Sequence, residues 1–257
     1  MDVGTAGLSV RKKGISAPAV CFVLLEAFCA LSLVYSAVSG RNDKILICVS
    51  GMLLLLLPAT AERLLRIKIA ASLKCILLVY AISGPVLGHV YRFYYTFRHW
   101  DKLMHILCGL FFAAFGYCLP DCTDCGRHHS RRLKLWSAFC VAMTVASLWE
   151  FFEFGMDVLI GTDMQNDTVL HGFTSYLLGS EPGITESLEG ITEVAVNGVP
   201  LGLDGYLDIG LYDTMLDMIV CAAGAAGFCL FASLRYKNRD CTAAVPVGNG
   251  NQCIIQR

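Results

Sequence analysis

Six times along its length this chain runs for close to twenty residues on little but apolar side chains, with short polar stretches between the runs. About 20 such residues are what a helix needs to cross the hydrocarbon layer of a bilayer. The runs are Ile15 to Ser39, Ile45 to Ala61, Ile69 to Tyr91, Leu103 to Leu119, Leu135 to Phe154 and Leu211 to Leu234. The second and fourth are short, and the third can begin as an interfacial segment around Arg63, Arg66 and Lys68. Six spans are therefore expected, with five as the alternative. The chain is 56% hydrophobic and 16% charged, against roughly 25% charged residues in soluble proteins, so it has too little polar surface to face water all round. The fold class expected is an all-α membrane protein of about six transmembrane helices. It forms a single polytopic domain over residues 1–257, with the lipid bilayer as its surroundings.

Charge excludes one class of partner. The formal net charge is -1, and the basic residues fall in small clusters, which gives no field for nucleic acid. The first apolar run follows Arg11, Lys12 and Lys13 but is longer than the 7 to 15 residues of a signal peptide, so it reads as a retained helix. Cys253 stands one place too early for a prenylation box.

Lys and Arg favour cytoplasmic loops. Arg11, Lys12 and Lys13, then Arg63, Arg66 and Lys68, then Arg127, Arg131, Arg132 and Lys134, then Arg235, Lys237 and Arg239 all fall on one side of the spans. The other side carries Arg41 and Lys44, then Arg92, Arg98 and Lys102, and a loop at about 155–210 with no Lys or Arg. Both termini are expected in the cytoplasm, with a short tail at about 235–257. All 13 cysteines fall in the spans or on the cytoplasmic side, which argues against a disulfide framework. Cys118, Cys122, Cys125, His128 and His129 resemble a zinc-ligand cluster but lack a second Cys-x-x-Cys, and a reduced basic loop is the plainer reading. In the outer loop, Thr192 to Val196 and Val199 to Leu201 flank Asn197-Gly198, a pair suited to a tight hairpin turn.

Ionisable residues inside spans are costly and mark functional sites by default. Here they group. Asp101 and His105 open the fourth span, Glu150, Glu153 and Asp157 close the fifth, and Asp213 and Asp217 open the sixth. Spacings of three, four and seven put each set on one face of its helix. The alternating direction of the spans brings all three sets to the outer end. Six carboxylates in a poorly hydrated place cannot all stay charged without compensation. A divalent metal, protons, or the nearby Arg92, Arg98 and Lys102 would each supply it. With His105 as nitrogen donor, the set suits Zn, Mn or Fe better than Ca.

Other polar residues have plainer alternatives. His89 is a second candidate imidazole or a hydrogen-bonded histidine at a helix end. Asp163, Asp167 and His171 would complete a site from the loop or be solvated there. Trp100 and Trp149 read as interfacial anchors. Glu26 and Lys74 lie at depths that would let them form a buried pair, with a proton path as the sharper alternative. Ala222 to Gly227 allow close helix packing, and Pro85 is the one candidate kink.

In order and spacing, Trp100-Asp101-Lys102-Leu103-Met104-His105 with Gly109, Trp149-Glu150-Phe151-Phe152-Glu153, Gly161-Thr162-Asp163-Met164-Gln165 and Asp213-Thr214-Met215-Leu216-Asp217-Met218 resemble the YjdF-type bacterial multi-pass membrane proteins, an uncharacterised family. The likeness covers about Leu87 to Gly227. It implies a polytopic protein of the bacterial cytoplasmic (inner) membrane and names no reaction. Motifs of intramembrane zinc proteases, serine hydrolases, phosphate-cradling loops and ferritin-like di-iron sites are absent. Two readings follow. One is an enzyme in which a divalent metal held by Asp101, His105, Glu150, Asp157, Asp213 and Asp217 acts on a small-molecule or lipid-like substrate, with Glu153 as general base. The other is a cation or proton transporter, or a structural scaffold, although no internal repeat or midplane break supports transport.

Overall fold

A computed structural model describes residues 16–64, 67–123, 129–235 and 253–254. Of the cysteine and histidine cluster, Cys125 and His128 lie outside the described residues, as do Arg11, Lys12, Lys13, Arg66, Arg127, Lys237 and Arg239. Among the described residues, six helical segments are long and apolar enough to cross a membrane: Ala17–Val38, Lys44–Leu64, Ala71–Val90, Trp100–Asp121, Arg131–Ile160 and Leu211–Arg235. Large apolar side chains such as Val23, Leu24, Leu31, Phe151 and Val158 point outward from them, as a lipid-facing surface requires. The chain packs as two compact units that divide between Trp100 and Asp101.

The first unit contains α1 (Ala17–Val38), α2 (Asp43–Leu55), α3 (Leu57–Leu64), α4 (Ala71–Ile82) and the short α5 (Phe93–Thr96). Cys29, Cys48, Leu55, Leu78, Ile82, Val86 and Val90 form its buried core. Two prolines shape it. The second span is interrupted at Leu56, whose N–H bonds Leu53 in a tightened last turn, and Pro58, which has no N–H to continue the ladder, sits at the start of α3. The third span widens at Gly84-Pro85 into a π-helix over Ser83–Val90. A proline ring clashes with the carbonyl four residues back, and the wider turn relieves that clash while Tyr91 N–H bonds Val86 five residues back at 3.1 Å.

Lys74 does not pair with Glu26. Its ammonium bonds the carboxylate of Glu62, which also accepts the Ile69 N–H at 2.9 Å. Both members of this pair are about a quarter exposed, at 22% and 23%, so pairing at the end of the helices spares the desolvation that a midplane pair would suffer.

The second unit contains α6 (Trp100–Thr123), α7 (Arg131–Ile160) and α8 (Leu211–Arg235). Ser130 caps α7, its hydroxyl accepting the Leu133 N–H, and Gly161 ends that helix in the left-handed conformation. α6 and α8 run parallel and touch backbone to backbone: a Cβ on Gly109 would fall 2.0 Å from the Cys221 carbonyl oxygen, and one on Gly224 would fall 2.2 Å from that of Ile106. α7 joins them through the Ser137 hydroxyl, which donates to the Gly116 carbonyl at 2.8 Å. The starts of α6 and α8 and the end of α7 consequently share one end.

Residues 161–210 cover that end with small antiparallel ladders. Thr168–Leu170 pairs with Tyr206–Asp208, and Gly172–Ser175 with Glu186–Glu189. The expected hairpin is present in a shorter form, Ala195–Val196 against Val199–Pro200. Asn197 and Gly198 have φ of 53° and 79°, the twin positive values that a primed turn needs.

The glycine contact yields a contrast. Gly224→Ala is expected to force α6 and α8 apart and cost about 2 kcal/mol, typical of overpacking, whereas a Cβ at Gly227 meets nothing within 4 Å. Thermal unfolding of both variants in the same detergent checks this, with Gly227→Ala matching wild type.

Candidate functional site

The end shared by α6, α7 and α8 gathers most of the ionisable residues expected there. Asp101 and Lys102 lie in the first turn of α6 and His105 one turn further on, and the Lys102 ammonium reaches three carboxylates. It lies 2.5 Å from Asp213 Oδ1, 2.9 Å from Asp217 Oδ2 and 3.3 Å from Asp101 Oδ2. Asp217 is only 1% exposed. Its second oxygen is as close to Lys102, at 2.9 Å, but off the angle of a hydrogen bond, and has no other partner.

His105, also buried, separates this ion-paired side from a second side on α7. Its Nε2 is 3.6 Å from Asp101 Oδ1 and 3.9 Å from Asp217 Oδ2, and its Nδ1 is 3.7 Å from Glu150 Oε1. These separations exceed hydrogen-bonding distance. Glu150 and Glu153 are three residues apart on the buried stripe of α7. The Trp149 indole N–H donates to Glu153 Oε1 at 2.8 Å, so this tryptophan fixes a site carboxyl. Glu150 is different: neither oxygen has a hydrogen bond of normal geometry, and the polar groups facing it are His105 and the Thr214 hydroxyl. Thr214 Oγ1 in turn accepts from the side-chain amide of Gln165 at 2.7 Å.

Among the described residues, two sets of donor atoms converge within 4.8 Å: Asp101, His105 and Asp217, and His105, Glu150 and Glu153. Asp213 is held by Lys102 and by the Asn166 side chain. Asp157 is not brought into either set. Its carboxylate accepts the Met164 and Gln165 N–H groups at 2.7 and 2.9 Å and the Thr162 hydroxyl at 2.7 Å, so it ties the end of α7 to the following loop. Asp163 and Asp167 remain exposed in that loop. Partial burial, then the neighbouring carboxylates of Asp163, Asp157 and Asp208, push the Asp167 carboxyl above its ordinary value. His171 Nδ1 is engaged at 3.1 Å by the Ile191 carbonyl. His89 stacks on Tyr94 in the first unit, ring centres 4.8 Å apart.

Five carboxylates thus face one ammonium and one imidazole. Removing Lys102 strands the buried Asp217 and the half-buried Asp213, and breaking such a pair from one side costs about 3 kcal/mol or more. Lys102→Met is expected to lose that much stability, and Lys102→Met with Asp213→Asn and Asp217→Asn to regain most of it. Denaturation in detergent of the single, double and triple variants measures the coupling.

No curated protein and no solved structure matches the chain. A family model does, over residues 21–238, most of the sequence. With its six apolar helices and its buried polar cluster, this chain belongs to the predicted membrane protein family DUF2238.

Proposed function

We propose that the loop-covered ends of α6, α7 and α8 form a divalent-metal site on the outer side of the bacterial cytoplasmic membrane, and that the metal acts on a lipid-like substrate. Glu150 carries this reading. A carboxylate only 5% exposed, with neither oxygen in a hydrogen bond of normal geometry, is compensated by a bound cation or by a proton, and its donor neighbours favour the cation. Two donors that share a tetrahedral zinc at about 2.1 Å stand about 3.4 Å apart. The 3.7 Å between His105 Nδ1 and Glu150 Oε1 needs only a few tenths of an ångström to reach that.

His105, Glu150 and Glu153 would hold the ion, and a mixed imidazole and carboxylate set suits Zn, Mn or Fe. Asp101 and Asp217, on the Nε2 side, would orient the ring as carboxylates behind metal-binding histidines do. The Lys102 ammonium disfavours a second cation beside Asp213. A bound metal would activate water or polarise a carbonyl or phosphoryl group, and the Trp149 indole N–H would hold the Glu153 carboxylate in place beside it. The substrate class is supported by Phe151, Phe152 and Phe154, which flank the site and face outward, so that an acyl chain would approach from the bilayer. The outer location is supported by the absence of Lys and Arg from residues 155–210.

A second reading, a structural lock, is favoured by the three acids gathered on Lys102. Metal content by mass spectrometry on detergent-purified protein, with metal supplied and chelator avoided, separates the two. Wild type is expected to hold stoichiometric metal, and a Glu150→Ala, Asp217→Ala variant that still runs as one folded species to lose it. Metal absent from both would sink the metal site, and a variant that unfolds outright would favour the lock.

A further inference from the structure

A second cluster, of opposite sign, lies in the first unit. Arg41, Lys44, His89, Arg92 and Tyr95 line a cavity of about 260 Å³. At ~30 Å³ per water molecule, that is room for about eight waters, enough for a phosphate with part of a headgroup. Its position matters as much as its size. Arg41 follows the end of α1, Lys44 lies in the first turn of α2, and His89 and Arg92 flank the end of the π-helix, so the cavity lies at the ends of three segments long and apolar enough to cross a membrane.

The backbone holds these groups in place. Arg41 N–H bonds the Ser36 carbonyl at 2.9 Å, and the Arg41 carbonyl accepts the Lys44 N–H at 3.0 Å, which fixes both cations in one turn. Tyr94 lies so close to Gly88 that a Cβ there would fall 2.2 Å from its ring, and the same ring packs on His89. Arg92 adopts a left-handed conformation, φ 63°, which a residue with a side chain avoids unless its surroundings impose it. Its carbonyl accepts the Tyr95 and Thr96 N–H groups at 3.0 Å, and its guanidinium lies 5.3 Å from the centre of the Tyr95 ring. A glycine would take this backbone without strain, so strain here accompanies a cation. Lys44, in the first turn of a helix, opposes the helix dipole. An anion in the cavity would lie against both cations.

We propose that this cavity binds a phosphate group, through Arg41, Lys44 and Arg92 as charge-assisted donors with His89 and Tyr95 at its rim, and that the phosphate is carried by an anionic phospholipid headgroup. The planar guanidinium groups match phosphate oxygens in pairs.

The test uses the full chain in neutral detergent. Thermal unfolding is followed as phosphatidylglycerol, phosphatidylcholine or inorganic phosphate is added at matched ionic strength. The variants are Arg41→Gln with Arg92→Gly, in which the glycine keeps the left-handed turn, and Arg63→Gln with Arg132→Gln as a charge-matched control. Phosphatidylglycerol is expected to raise Tm for wild type and the control and to bind the Arg41, Arg92 variant about tenfold more weakly or worse, as loss of two charge-assisted contacts implies. Phosphatidylcholine should do little. Stabilisation by inorganic phosphate with the same variant dependence would support the site while assigning it to a free phosphate. Equal loss in both double variants, or no selective effect of either phosphate source on wild type, would overturn it.

Discussion

An ionised side chain at the centre of a bilayer costs roughly 2.5–3.5 kcal/mol on insertion scales, and the second unit brings five carboxylates to the end of three apolar helices. The Lys102 ammonium makes that tolerable on one side by bonding Asp213 and Asp217 across the gap between α6 and α8. Such reach requires the two helices to be nearly in backbone contact, and Gly109 and Gly224 provide that contact one to two turns below the cluster. The small residues and the charged ones are therefore parts of one device. Widening the helix pair would lengthen every ion pair above it, and removing the ion pairs would leave charges that drive the pair apart.

The loop participates in the same constraint. Asp157 accepts two backbone N–H groups and a hydroxyl from residues 162–165, and Gln165 and Asn166 then reach Thr214 and Asp213 on α8. The segment after α7 is thus stitched to both helices that bracket it, and the polar cluster lies beneath a fixed cover.

Much of this was legible in the sequence because hydrophobic length and charge placement act at the scale of whole helices. The apolar runs located six spans, and helical spacing grouped Asp101, His105, Glu150, Glu153, Asp213 and Asp217 at one end. What escaped was set by contacts between distant segments. Asp157 shares a face with Glu150 and Glu153, yet nothing in that spacing says that a loop will capture its carboxylate first. Lys74 had an acid at a suitable depth in Glu26, but the turn after α3 returns Glu62 to it at lower desolvation cost. Pro85 signalled a kink, and the result is a π-helical turn, since a proline specifies that the ladder must change without specifying how.

Charge pairing alone does not mark chemistry, and the second unit supplies its own comparison. At the end away from the loop, Lys134 is buried, lies 2.5 Å from Asp121 and stands over the Tyr117 ring at 4.5 Å. That ammonium, set between a carboxylate and an aromatic face, is an arrangement that stability by itself explains. The loop-covered end starts from the same device in Lys102 and then adds carboxylates that the lysine does not reach. Glu150 and Glu153 are three residues apart and buried, on the far side of His105, where an apolar pair would pack without any desolvation cost. A fold that needed only a lock would stop at Lys102. The excess of acid beyond it, centred on a carboxylate with no hydrogen bond of normal geometry, is the part of the structure that calls for a cation or a proton.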